Sequence, residues 1–175
     1  MPDITFNHYP HFFTATIFQC GNLLTDNRMK EIIVSSLRFL VKDGRIKVYG
    51  FVLMPNHVHI IWQIQDKYEK LKVQQSFLKY TAQQMKFLLL QNDEKELETY
   101  KVKACDREYQ FWKRNPVSIE LWSRPVFLQK LNYVHNNPTT PRWKLCHFPE
   151  EYKYLSACFY ETGKNDFDFL THYLG

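Results

Sequence analysis

The sequence predicts an α+β fold of the ferredoxin-like kind, an antiparallel sheet with helices on one face, followed by a further helix and an irregular tail. Three observations carry this. The periodicities along the chain switch in the order β-α-β-β-α-β and then to helix. The two central strands are joined by a short Met54-Pro55-Asn56 turn, which makes them a hairpin. Residues Val58, Ile60, Trp62 and Ile64 alternate onto one wholly apolar strand face, which is the face to bury. The 175 residues suffice for one domain, 1–175, with a sizeable core, and 45% apolar content fits a folded chain.

Residues 1–10 read as a loose lead-in with two prolines. His11 to Phe18 is aromatic and β-branched and predicts the first strand, broken by Gly21 and Asn22. A helix follows. Thr25 or Asp26 is placed to cap it, Met29, Ile33, Leu37, Leu40 and Val41 recur at helical spacing, and Gly44 suits its C-terminal end. Ile46–Leu53 is the second strand and the run from Val58 the third. Lys72–Leu90 predicts the second helix, with Val73, Phe77, Met85 and Leu88 as core positions. Residues 91–108 read as a charged surface excursion, and Tyr109–Trp122 as extended chain interrupted by Asn115-Pro116. Ser123 or Arg124 opens a third helix with Pro125 in its first turn, ending at Asn136-Asn137-Pro138. The remaining tail carries aromatic anchors at Trp143, Phe148, Tyr152, Tyr154 and Phe159.

Composition narrows the function classes. No apolar run reaches membrane-spanning length, and no basic-then-apolar leader pattern occurs at the N-terminus. The four cysteines are scattered without C-x-x-C or zinc spacing, which fits free thiols in a reducing cytoplasm. Net charge is +5, and it is unevenly placed: residues 101–145 hold nine Lys/Arg against three Asp/Glu, beside Phe111, Trp112, Trp122 and Trp143. Basic residues interleaved with aromatics suit a nucleic-acid surface, and equally a solvated basic face.

His57 and His59 share one strand face with Ile61 and Gln63. Two imidazoles at this spacing are placed to grip one metal ion, or form an ordinary polar pair on a half-exposed strand. On the third helix Phe127, Leu131 and Val134 form the face to bury, while Gln129, Tyr133 and Asn137 recur every four residues on another face. Tyr133 taken alone reads as a rim residue with its hydroxyl in water.

Read together, Met54-Pro55-Asn56-His57-Val58-His59-Ile60-Ile61 and Tyr133-Val134-His135-Asn136-Asn137-Pro138 resemble the motifs of single-tyrosine transposases of the insertion-sequence-200 type. They are most similar to the relatives associated with repetitive extragenic palindromic (REP) elements. The Pro149–Ala157 stretch is similar to the tail of those relatives. The resemblance implies a histidine–hydrophobic–histidine endonuclease that nicks and rejoins single-stranded DNA beside hairpins, as a monomer or homodimer. It implies His57 and His59 as metal ligands, Asn137 as a third ligand, and Tyr133 as the nucleophile that forms a 5′-phosphotyrosine. In the insertion-sequence enzymes the place of Asn137 is often glutamine. Imidazole ligands beside an oxygen ligand suit Mg²⁺ or Mn²⁺. Phosphate contacts are expected from Lys79, Lys101, Lys103, Arg107, Lys113, Arg114 and Arg124, and base stacking from Phe111, Trp112 or Trp122. His135, two positions from Tyr133, is turned away from it on a helix. A hairpin-binding protein without turnover, and an RNA-binding or RNA-cleaving protein, use the same features.

Overall fold

The computed structural model describes residues 9–175, so the lead-in falls outside the described residues except for Tyr9 and Pro10. Four strands, β1 (His11–Thr16), β2 (Ile46–Leu53), β3 (His57–Ile64) and β4 (Val117–Glu120), form one antiparallel sheet in the order β2-β3-β1-β4. The helices are α1 (Asn27–Lys42), α2 (Lys70–Asn92), α3 (Glu94–Glu98), α4 (Arg124–Asn136) and α5 (Ala157–Thr162). The ferredoxin-like order and its strand arrangement are those expected from the sequence.

Local signals set the element ends. Asp26 caps α1 by accepting a hydrogen bond from the Arg28 amide, and Gly44 follows that helix at φ +70°. Ser123 caps α4 through the Val126 amide, with Pro125 in the first turn. The helix α2 runs two residues further at each end than its periodicity suggests, and Leu89 rather than Leu88 is its buried leucine.

The two crossover helices lie on one face, as predicted. There Phe13, Val58, Ile60 and Trp62 from the strands meet Met29, Ile33 and Leu37 from α1 and Val73, Phe77 and Met85 from α2. Each such side chain contributes about 1.5–3 kcal/mol of burial free energy. The opposite face is covered as well. Phe127, Leu131 and Val134 of α4 pack on Phe12, Val52 and Ile61, so the histidine side of β3 is buried rather than half-exposed.

The seat of α4 depends on an irregularity in β2. The pairing with β3 slips between Val48 and Gly50. In this bulge Tyr49 packs on Phe127 and Gly50 lies under Leu131, both on the α4 face. A Cβ at Gly50 would stand 2.7 Å from the Leu131 Cδ1 atom, so the Leu131 side chain takes this seat only over glycine.

Three expectations need correction. Within 109–122 only Val117–Glu120 joins the sheet as a strand, with Trp112 making an isolated bridge to Ile17. The 91–108 excursion contains α3 and buries Leu97 and Tyr100, the latter stacked on Phe111. Phe148 is 60% exposed and anchors nothing, while Tyr154 is buried and the hydroxyls of Tyr152 and Tyr160 donate to the Leu53 and Tyr49 carbonyls. The tail thus covers the outer edge of β2.

Candidate active site around two histidines and a tyrosine

The histidine pair lies at the start of β3, where α4 crosses the sheet. The His57 and His59 rings are 4.6 Å apart, and the Tyr133 ring is 5.3 Å from His59. Phe12 on the neighbouring strand stacks on His59 at 5.1 Å and meets Tyr133 edge-on at 5.9 Å. Asn137, at the C-terminal cap of α4, lies against His57. The four residues singled out from the two motifs, with His57 and Tyr133 76 positions apart in the chain, come together through the packing of one helix on one strand.

Both imidazoles are oriented through Nδ1. Asn56 donates from Nδ2 to the Cys20 carbonyl at 3.4 Å, which turns its Oδ1 toward His57 Nδ1 at 2.7 Å. An amide oxygen only accepts, so His57 Nδ1 carries the proton and Nε2 presents a lone pair. Thr14, the cross-strand partner of His59, bonds to His59 Nδ1 at 2.7 Å. Such a polar partner on the remote nitrogen is what orients a histidine ligand for a metal. Burial pushes His57 down to about 4, helped by the Arg142 charge and opposed by Asn137. It pushes His59 down to about 3, helped by the charges of His57 and Lys130. Both are therefore neutral near pH 7, the state in which imidazole binds a cation.

Two buried atoms of the cluster lack a hydrogen-bond partner among the described residues: His59 Nε2 and Asn137 Oδ1. Asn137 Oδ1 is an acceptor, and His59 Nε2 is one too when its Nδ1 carries the proton; buried without donors, both would be satisfied by a cation. His57, His59 and Asn137 thus fit a divalent ion. Among the described residues no group of three or more His, Cys, Asp or Glu is placed to hold one, so the set depends on the amide.

Tyr133 is 51% exposed, its ring held by Phe12 and His59. Lys130, one turn earlier on α4, sets its ammonium 5.0 Å over the Phe12 ring and 5.7 Å from the Tyr133 ring. Trp143 packs 5.7 Å from His57 and carries the Arg142 guanidinium at 5.3 Å. Sequence reasoning missed Phe12, Thr14, Asn56, Lys130 and Arg142. Lys130 had a signal, its i−3 spacing from Tyr133; Thr14 needed the strand register.

His135 points elsewhere, with Nε2 at 2.9 Å from Ser156 Oγ. Lys79, Lys113 and Arg114 come together with Arg107 along one groove of about 600 Å³ between α2 and the 106–116 segment. Trp122 is 68% exposed and shares a second groove with Arg124, Tyr49 and Tyr173. Phe111 and Trp112 are buried, and the Trp112 indole donates to Thr81 Oγ1, so neither offers a face for stacking. Lys101 is paired with Glu98 and Glu108, and Arg107 with Asp106; Lys103 is exposed.

No protein-family model and no curated protein matches the chain. Solved structures do. One is a REP-associated tyrosine transposase bound to a REP hairpin, with a TM-score of 0.62 and 14% identity over 93% of this chain and 86% of that one. Another is a candidate transposase from Deinococcus radiodurans R1, with a TM-score of 0.48 and 13% identity over 78% of this chain and 95% of that one. Among the described residues no helix is long and apolar enough to cross a membrane. The chain has the fold of a REP-associated tyrosine transposase.

Proposed function

We propose that this protein is a transposase-type endonuclease and strand transferase that cleaves single-stranded DNA beside a hairpin through a covalent phosphotyrosine. The observation that carries the proposal is the convergence of two Nδ1-anchored histidines, an unpartnered buried amide oxygen and a half-exposed tyrosine at one point of the sheet. The fold it shares with a transposase bound to a REP hairpin supports the same reading.

In this reading His57, His59 and Asn137 hold Mg²⁺ or Mn²⁺. The ion, when bound, supplies positive charge to the non-bridging oxygens of a phosphodiester and orients it. The chain's own residues do the rest. Phe12 and His59 fix the Tyr133 ring, so the phenol approaches along one direction. The Tyr133 oxygen bonds to phosphorus as the bond to the 3′ oxygen breaks. The phenolic proton passes to water, to which the half-exposed residue is open, and the departing 3′ oxygen takes up a proton. The product is a 5′-phosphotyrosine and a free 3′-hydroxyl. A later 3′-hydroxyl reverses the step, so no nucleotide cofactor is needed. The basic groove of Lys79, Lys113 and Arg114 and the exposed Trp122 beside Arg124 supply phosphate and base contacts for the hairpin. Free thiols at Cys20, Cys105, Cys146 and Cys158 suit a reducing cytoplasm.

The test is a denaturing gel of the protein with labelled single-stranded hairpin oligonucleotides and Mn²⁺ or Mg²⁺. A slower band that survives denaturation, requires the metal and is absent with Tyr133→Phe is the expected result. Tight binding of the same hairpins in a native gel without any such band would overturn the catalytic reading in favour of a binding protein.

A further inference from the structure

The candidate site carries positive charge with nothing to balance it. Among the described residues, Arg28, Arg45, Lys72, Lys101, Arg107, Lys153 and Lys164 all sit in ion pairs. Lys130 and Arg142 are among the many Lys and Arg side chains with no acidic partner within ion-pair distance among those residues, and what sets them apart is that their charges bear on the two histidines. The Lys130 charge bears on His59, and the Arg142 charge on His57.

Neither charge hangs free on a long stem. Lys130 lies over the Phe12 and Tyr133 rings, and Arg142 lies over Trp143, which itself packs on His57. Ring contacts of this kind fix a cation without neutralising it. A carboxylate partner would have done the opposite. Two ring-held, unneutralised cations, one beside the nucleophile and one beside the ring packed on His57, form a receptor for two adjacent negative groups.

We propose that Lys130 and Arg142 grip consecutive phosphates of the substrate strand: Lys130 takes the phosphate attacked by Tyr133, and Arg142 takes its neighbour on the His57 side. This rests on the nuclease reading above. Lys130 projects from the turn that precedes Tyr133, so one helix supplies both the nucleophile and the charge that holds its target. Arg142 brings a planar fork suited to two oxygens of one phosphate. The pair sets where along the strand cleavage falls, because the spacing of the cations selects which phosphate faces Tyr133.

The experiment uses the full chain with a fluorescent single-stranded hairpin oligonucleotide, comparing the native protein with Lys130→Gln, Lys130→Arg and Arg142→Gln. Binding is followed by anisotropy in EDTA across a salt series, and single-turnover adduct formation with Mn²⁺ on a denaturing gel. Each glutamine variant is expected to flatten the slope of log K against log salt by about 0.7, the value of one lost phosphate contact on a single strand. Lys130→Gln is expected to slow adduct formation by about 10²-fold, as loss of one charge-stabilising donor does, with Lys130→Arg recovering most of it. Thermal midpoints equal to the native protein's are expected, since Arg142 is exposed and glutamine keeps most of the Lys130 stem. A native protein that forms the adduct, with glutamine variants that match it in both slope and rate, overturns the grip and leaves the nuclease reading intact. A native protein that binds the strand but forms no adduct overturns the nuclease reading; flattened slopes in that case still support the grip, and unchanged ones overturn it. Absence of single-strand binding by the native protein overturns both.

Discussion

Two three-ring clusters face away from each other across the same strands. On the α1/α2 side Phe13, Trp62 and Phe77 meet with centroids 4.9, 5.5 and 6.3 Å apart. On the α4 side Phe12, His59 and Tyr133 meet at 5.1, 5.3 and 5.9 Å. Phe12 and Phe13 are neighbours on β1, so one peptide unit separates the two environments. The geometry is nearly the same, and the chemistry is not. The first cluster is sealed on every side and is hydrocarbon apart from the buried Trp62 indole nitrogen. The second replaces two rings with an imidazole and a phenol, opens the phenol to solvent and sets a cation over its edge. Aromatic packing thus serves as the common scaffold, and heteroatoms with one exposed edge turn it into a reaction site.

The sharpest way to separate the clusters is Tyr133→Phe, which keeps the ring and removes one oxygen. Adduct formation is expected to fall at least about 10⁴-fold, as for loss of a nucleophile, while the denaturant midpoint barely moves. The mirror experiment is Phe77→Ala. It is expected to cost about 3–5 kcal/mol by chemical denaturation, with the adduct rate per folded molecule unchanged. If both substitutions lowered stability equally, the α4-side cluster would be core and the contrast would collapse.

Gly50→Ala strikes at the contact that seats α4. The added methyl group would stand 2.7 Å from Leu131 Cδ1, so the Leu131 side chain, or the helix that carries it, has to give way. A stability loss of about 1–3 kcal/mol is expected, together with a rate loss of about 10²-fold from displacement of the nucleophile. A variant with native rate would show that Tyr133 is placed by something other than the bulge.

Acid should act strongly through the histidines of the α4 side. His57, His59 and His135 are all held well below the ordinary histidine value of 6.5 by burial, to about 4, about 3 and about 4. Between 6.5 and those values the unfolded chain binds more protons than the folded one. Stability is therefore complete above about pH 6.5 and declines as pH falls toward 4. Urea midpoints measured from pH 7 to 4 should show this slope, and His135→Gln should reduce it without changing Mn²⁺ affinity measured by calorimetry. The smallest effect is expected from Lys79→Gln, an exposed member of the basic groove. It should weaken hairpin binding a few-fold and lower its salt dependence by roughly one phosphate contact, leaving adduct chemistry on bound strand intact.

The α1/α2 side was the more legible in the sequence. Ile46–Leu53 was expected with its observed bounds, and the Asp26 cap and Gly44 carry their information within a few residues. The His57/His59 pair, Tyr133 and Asn137 stood out because their spacing resembles known motifs, and the fold brings them together. Their supports did not stand out. Thr14 reaches His59 through strand register, and Arg142 reaches His57 through the path of the chain after α4; neither leaves a periodic trace. Phe111 and Trp112 misled in the other direction. An aromatic beside lysines reads as a stacking platform until the fold turns it inward, as it does against Tyr100 and Thr81.

The bulge at Gly50 also bears on how the molecule behaves in different buffers. Leu131 fills that notch two residues before Tyr133, so the height of the phenol above the histidines is set by hydrocarbon resting on bare peptide. Such a contact neither titrates nor screens. For a polyanionic substrate, capture should wax and wane with ionic strength while the alignment of the attacking oxygen stays constant, so salt would tune how often the site is filled and leave untouched what happens once it is.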